Sequence, residues 1–191
     1  MRYTFQAEQW VPYPLELVFA FFANPQNLPR LMPGWQKARI EEARIAPPPQ
    51  RPEAADPARR FRSIAAGEGT ELTVSFRPFP WSPIRLPWEG VITEFAWNQH
   101  FCDEIRRGPL RYWRHCHRVR EEPREGVAGT RIVDEVEYEL PIRVGAEVVN
   151  SVFFAPQLRR VFAQRQKRLE EILAIICNNM RGPFGVIAAK R

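Results

Sequence analysis

The chain has 191 residues, with 28 Lys and Arg against 22 Asp and Glu, a formal charge of +6. That length fits a single domain, and thirteen Phe with six Trp supply enough apolar area for a core, which excludes a wholly disordered chain. The longest apolar run, Leu17 to Ala23, is seven residues, whereas a membrane span needs about 20, so no spanning helix is expected.

The chain opens with Tyr3 to Val11, where aromatic and polar residues roughly alternate as in a strand. Pro12 and Pro14 end it. Leu15, Val18, Phe19 and Phe22 then form one apolar stripe of a short helix. Asn24-Pro25 has the form of an N-cap with proline at the first helical position, which predicts a second short helix from Pro25 to Leu31, stopped by Pro33-Gly34. Gln36 to Ile45 reads as a strand. The stretch Ala46 to Pro57 follows, with five prolines in twelve residues, and is expected to be an extended, mobile loop.

Strands are expected at Glu71 to Phe76, Trp88 to Ala96, His100 to Arg106, Tyr112 to Glu121 and Thr130 to Leu140, joined by turn residues such as Trp97-Asn98-Gln99 and Arg107-Gly108-Pro109. Short links between consecutive strands imply an antiparallel meander. Between the first two of these, Phe76 to Trp88 is dense in proline and aromatics and predicts a rigid hairpin tip with partly exposed rings. Leu158, Val161, Phe162, Leu169, Ile172, Leu173 and Ile176 keep helical spacing over about five turns, and Pro156 suits the first turn. The domain is therefore placed at residues 1–177, with 178–191 as a tail that runs off as loop. The fold class is α+β: a curved antiparallel sheet of six to seven strands wrapped around a long C-terminal helix, leaving a cleft between them.

The charge surplus says little about partners. Of the basic residues 25 are Arg, interspersed with Glu instead of gathered into a block. No specific nucleic-acid partner follows, and transient contact with an anionic membrane surface is the most the charge supports. Met1 to Phe5 has no signal-peptide pattern. The three cysteines, Cys102, Cys116 and Cys177, are odd in number and in no ligand pattern, as expected of free thiols in a reducing cytoplasm.

Pro12 to Pro29, with its Pro-Leu-Glu-Leu-Val-Phe and Asn24-Pro25, resembles the opening of START-like (SRPBCC) proteins. Gly108 to His117 and Gly129 to Tyr138 resemble the bacterial polyketide cyclase/dehydrase-like, ligand-binding branch of that superfamily. The resemblance covers about residues 1 to 177 and implies a helix-grip fold around a hydrophobic cavity for lipids, polyketides or other apolar small molecules. It carries no single catalytic motif, and the 46–57 loop is longer than usual at that joint.

Strand periodicity selects the site. On Tyr112 to Arg120 the arginines alternate with Trp113, His115 and His117, so the latter should face inward. On Thr130 to Leu140 the glutamates alternate with Asp134 and Tyr138, which share the inner face. On the helix, Arg165 occupies a position of the apolar stripe that holds Phe162, and Asp134 or the anionic end of a ligand is its expected partner. With Trp88, whose face Gly90 leaves open, these eight are the expected ligand contacts. The histidines and Asp134 read first as an internal hydrogen-bond network, then as ligand contacts. His-x-His can also chelate, with Asp134 or His100 as third ligand, but one pair without a companion motif assigns no metal and no cofactor. The expected function is binding of a hydrophobic small molecule or lipid without catalysis. The alternatives are a cyclase/aromatase-type enzyme moving a proton with His115 or His117, and a protein-interaction module with a filled core. Neither the ligand nor the oligomeric state follows from the sequence.

Overall fold

Proline placement cuts the N-terminal region into the expected pieces. The computed structural model describes residues 1–52 and 64–181, with backbone alone for 179–181. Strand β1 is Tyr3–Val11 and helix α1 is Leu15–Ala23. Asn24 accepts a hydrogen bond from the Gln26 amide (3.1 Å), so its side chain caps the turn Pro25–Asn27, which runs into α2, Leu28–Leu31. The next strand is shorter than expected. Gly34–Gln36 forms a 3-10 turn, and β2 begins only at Arg39 and ends at Arg44.

The proline-rich stretch is tied down as far as it is described. Ala46 exchanges bonds with the Thr70 hydroxyl and accepts one from the Gly67 amide, the Trp97 indole donates to Pro49 O (2.7 Å), and Arg51 lies over the Trp97 ring. Residues 46–52 form neither helix nor strand, as expected of this loop, and these bonds supply the donors that prolines lack. Residues 53–57 lie outside the described residues.

Strands β3 (Glu71–Phe76), β4 (Leu86–Ala96), β5 (His100–Arg107), β6 (Tyr112–Glu121) and β7 (Thr130–Glu139) complete one antiparallel sheet in the order β1-β7-β6-β5-β4-β3-β2. Register shifts leave extra residues at Thr93 of β4 and Arg106 of β5, and at Glu41 of β2, which bend the strands. This bending is what a sheet needs to curl.

The C-terminal helical region starts earlier and ends later than its periodicity suggested. Helix α3 (Ala146–Val149) leads through one π turn (Asn150–Phe154) into α4 (Ala155–Arg181). Residues 178–181, expected as loop, continue the helix. The rest of the expected tail, residues 182–191, lies outside the described residues. Among the described residues no helix is long and apolar enough to cross a membrane.

The helix packs at two places. Leu169, Ile172 and Leu173 of α4 join Val18, Phe19 and Phe21 of α1 with Val119 and Ile132 of the sheet. Leu158 and Phe162 join Val136, Tyr138 and Leu140. Alternation on β7 is complete: Ile132, Asp134, Val136 and Tyr138 are buried, and the residues between them are half-buried. Toward β3 and β4 a cavity separates sheet and helix.

The cysteines correct the sequence reading. Cys102 and Cys116 are direct cross-strand partners on β5 and β6 and form a disulfide on the convex face of the sheet. Free thiols were expected there because their separation in sequence says nothing of strand register. Cys116 alternates with inward residues, as expected, yet is buried: Arg114, bonded to Glu94 (2.5 Å), reaches Cys102 Sγ across the bridge.

Candidate functional site

A cavity of about 530 Å³ lies between the sheet and the N-terminal half of α4, within the size range of small-molecule sites. Leu72, Val74 and Phe76 of β3 and Trp88 and Ile92 of β4 form one wall, Phe101 of β5 and Trp113 of β6 the floor, and Leu158, Val161 and Phe162 of α4 the roof. Phe79 of the β3–β4 hairpin and Phe153 of the π turn, both exposed, also border it. Phe79 stacks on Trp81, which is 80% exposed, so the expected exposure of the hairpin rings is observed.

Polar groups converge on part of this surface. On β6, period two turns Trp113, His115 and His117 inward, and all three border the cavity. Asp134, opposite His117 on β7, sits behind the imidazoles. Its Oδ1 is 3.0 Å from His115 Nε2 and 2.6 Å from His117 Nδ1, the latter off the line of a well-formed hydrogen bond. The two imidazole centroids are 4.0 Å apart, and His117 is held between Phe22 and Phe101.

Burial sets the protonation of this group. It pushes His115 down to about 3, helped by His117 and resisted by the bond to Asp134, so His115 is neutral at neutral pH. Burial also works to raise Asp134, but the attraction of His117 and the contacts to both imidazoles outweigh it and hold the carboxyl well below the ordinary range. Asp103, on β5 opposite His115, is pushed up to about 6 by burial, against the pull of His117 and Arg165.

Arg165 does not make the ion pair expected of it. Its guanidinium borders the cavity and lies over the Phe162 ring (5.1 Å), and its one described hydrogen-bond contact is to Met32 Sδ (4.0 Å). Among the described residues no carboxylate comes within 4.0 Å of it. Burial lowers its pKa, and the more distant Asp134 and Asp103 only partly offset this.

Of the eight sequence-selected residues, Trp88, Trp113, His115, His117, Phe162 and Arg165 border the cavity, and Asp134 and Tyr138 do not. Asp134 is screened by the imidazoles. Tyr138 is sealed beneath Tyr3 and Phe154 and donates its hydroxyl to Asn150 Oδ1 (2.7 Å). His100, considered as a metal ligand, faces the convex side, 3.5 Å from Glu94. Two residues were missed. Asp103 shares the inner face with Phe101, a parity the β5 sequence does show. Gln36 is 6% exposed, borders the cavity and leaves Oε1 without a partner, and no pattern near the β2 boundary marks it.

A curled antiparallel sheet gripping a long C-terminal helix over an apolar cavity defines a START-like (SRPBCC) protein of helix-grip fold. Residues 11–167 match the family described as polyketide cyclase / dehydrase and lipid transport, and the chain belongs to that family. No curated protein matches the sequence. Solved structures of similar fold include TTHA0849 from Thermus thermophilus, at 18% identity and a TM-score of 0.57, covering 90% of this chain and 98% of that one. Norcoclaurine synthase from Thalictrum flavum, in complex with dopamine and hydroxybenzaldehyde, is 15% identical with a TM-score of 0.55, covering 91% of this chain and 87% of that one. Protein CV1439 from Chromobacterium violaceum is also 15% identical with a TM-score of 0.55, covering 89% and 96%. At these identities the likeness is one of fold.

Proposed function

We propose that the protein binds a hydrophobic small molecule or lipid in the cavity, for transport or sensing. The observation that carries this reading is the cavity itself: about 530 Å³, walled mostly by aliphatic and aromatic side chains, with Asp103, His115, His117, Arg165 and Gln36 among the polar residues that meet it. Apolar walls supply affinity in rough proportion to the area they cover, and a few polar groups fix orientation. Arg165 and Gln36 suit that second role, since each brings a polar group to the cavity that the protein leaves without a strong partner. A protein-interaction module with a filled core accounts less well for this space.

Native mass spectrometry of freshly purified protein, paired with a denatured run, tests the reading. A mass excess that vanishes on denaturation, or saturable uptake of a fluorescent apolar probe, is expected. Val161→Trp, which places a larger ring on the cavity side of α4, should weaken probe uptake at least tenfold while the fold is retained. A clean apo mass with no probe uptake would overturn it. Contact with a membrane during loading predicts liposome co-sedimentation that falls in Trp81→Ala.

One observation favours a cyclase-type enzyme as a second reading: His115 is oriented by Asp134 through Nε2, while its other nitrogen lies on the side of Asp103. It requires a bound molecule that changes mass or ring count on incubation with wild type but not with His115→Gln.

A further inference from the structure

We propose that Asp103, His115 and His117 form a site for a divalent first-row transition-metal ion of the zinc class, with Asp134 as the outer carboxylate that orients both imidazoles. One donor atom from each of the three lies within 4.8 Å of the other two. His115 Nδ1 and Asp103 Oδ1 are 3.8 Å apart, beyond hydrogen-bond reach. Donors around a tetrahedral ion with bonds of about 2.0 Å are spaced about 3.3 Å, so small side-chain movements close the set.

The sheet holds this group in place. Asp103 is the cross-strand partner of His115, and Phe101 that of His117. Between these pairs, on the opposite face, the Cys102–Cys116 disulfide locks β5 to β6. The third strand supplies the carboxylate: both imidazoles turn one nitrogen to Asp134 Oδ1. Metal-binding histidines characteristically bond their second nitrogen to such a carboxylate, which fixes tautomer and ring angle.

Access agrees with an ion. All three residues border the cavity, which leaves room for a fourth ligand there, as in sites with three protein donors and an exchangeable fourth.

The inference goes beyond small-molecule binding and is tested separately from it. EDTA-treated protein is titrated with Zn²⁺ by calorimetry, and with Co²⁺ by visible absorption. One ion per chain is expected, with affinity reduced at least 100-fold in Asp103→Asn and in His115→Gln and 10- to 100-fold in Asp134→Asn, each with a native circular dichroism spectrum. His100→Ala, on the convex face, should bind as wild type does. Should the site variants fail to fold, X-ray absorption of the wild-type zinc complex decides, with two imidazole nitrogens and carboxylate oxygen expected in the inner shell. Protein that takes up an apolar probe but no stoichiometric Zn²⁺ would overturn the metal site and leave the binding function standing. So would uptake that survives Asp103→Asn or is lost in His100→Ala.

Discussion

Asp134→Asn removes the charge that holds the His115–His117 pair while keeping the side chain's shape. Asp134 is 7% exposed, and its one oxygen lies within 3.0 Å of both imidazoles. Hydrogen bonds to a charged group contribute about 1.5–3 kcal/mol each, and removing one member of a buried pair costs about 3–5 kcal/mol. Asparagine can still accept one bond, so a loss of about 2–4 kcal/mol is expected. At about 2–4 °C per kcal/mol for a domain of this size, Tm should fall by roughly 5–15 °C. The assay is thermal and urea unfolding by circular dichroism at neutral pH, with EDTA present.

The sign of the pH effect follows from the direction of the shift. The Asp134 carboxyl is held below its unfolded range, so its contribution is complete above about pH 4 and is lost as pH falls toward the folded value. The gap between wild type and Asp134→Asn should therefore be widest at neutral pH and narrow toward pH 3. A gap under 1 kcal/mol at pH 7, or one that does not change with acid, refutes the reasoning.

Three further outcomes are expected. Asp103→Asn removes a carboxyl raised to about 6, which costs stability as pH rises from about 4 through 6; the EDTA-treated variant should therefore be more stable than wild type by about 1–3 kcal/mol at pH 7.5, with little difference at pH 4, by urea unfolding. Alkylation of unreduced, denatured protein should label Cys177 alone, and reduction should lower stability by about 3 kcal/mol for the loop closed across 14 residues; labelling at all three cysteines would contradict the bridge. Gly67→Ala would put a Cβ 2.5 Å from Pro48 Cα, so a cost of about 1–3 kcal/mol from overpacking is expected in thermal melts.

Strand alternation and proline position determined much of this protein locally. They placed β1, β3 and β6 residue for residue, turned Trp113, His115 and His117 to one face, and put Asp134 on the matching face of β7. Such properties need only the period of the backbone and the stereochemistry of proline, and both are local. What depended on distance along the chain was decided by tertiary structure. Cross-strand register joined Cys102 to Cys116 and set Asp103 opposite His115, although neither pair is marked by spacing. Strand order put Asp134 behind the imidazoles instead of against a ligand, and the stacking of Tyr3 and Phe154 sealed Tyr138. Pairing opposite Val74 of β3 settled the face of Trp88. The line of α4 left Arg165 facing the cavity without the ion pair its burial suggested. A cavity is the space between elements that pack elsewhere, so its outline depends on how the helix and the sheet are placed together, which no single segment specifies.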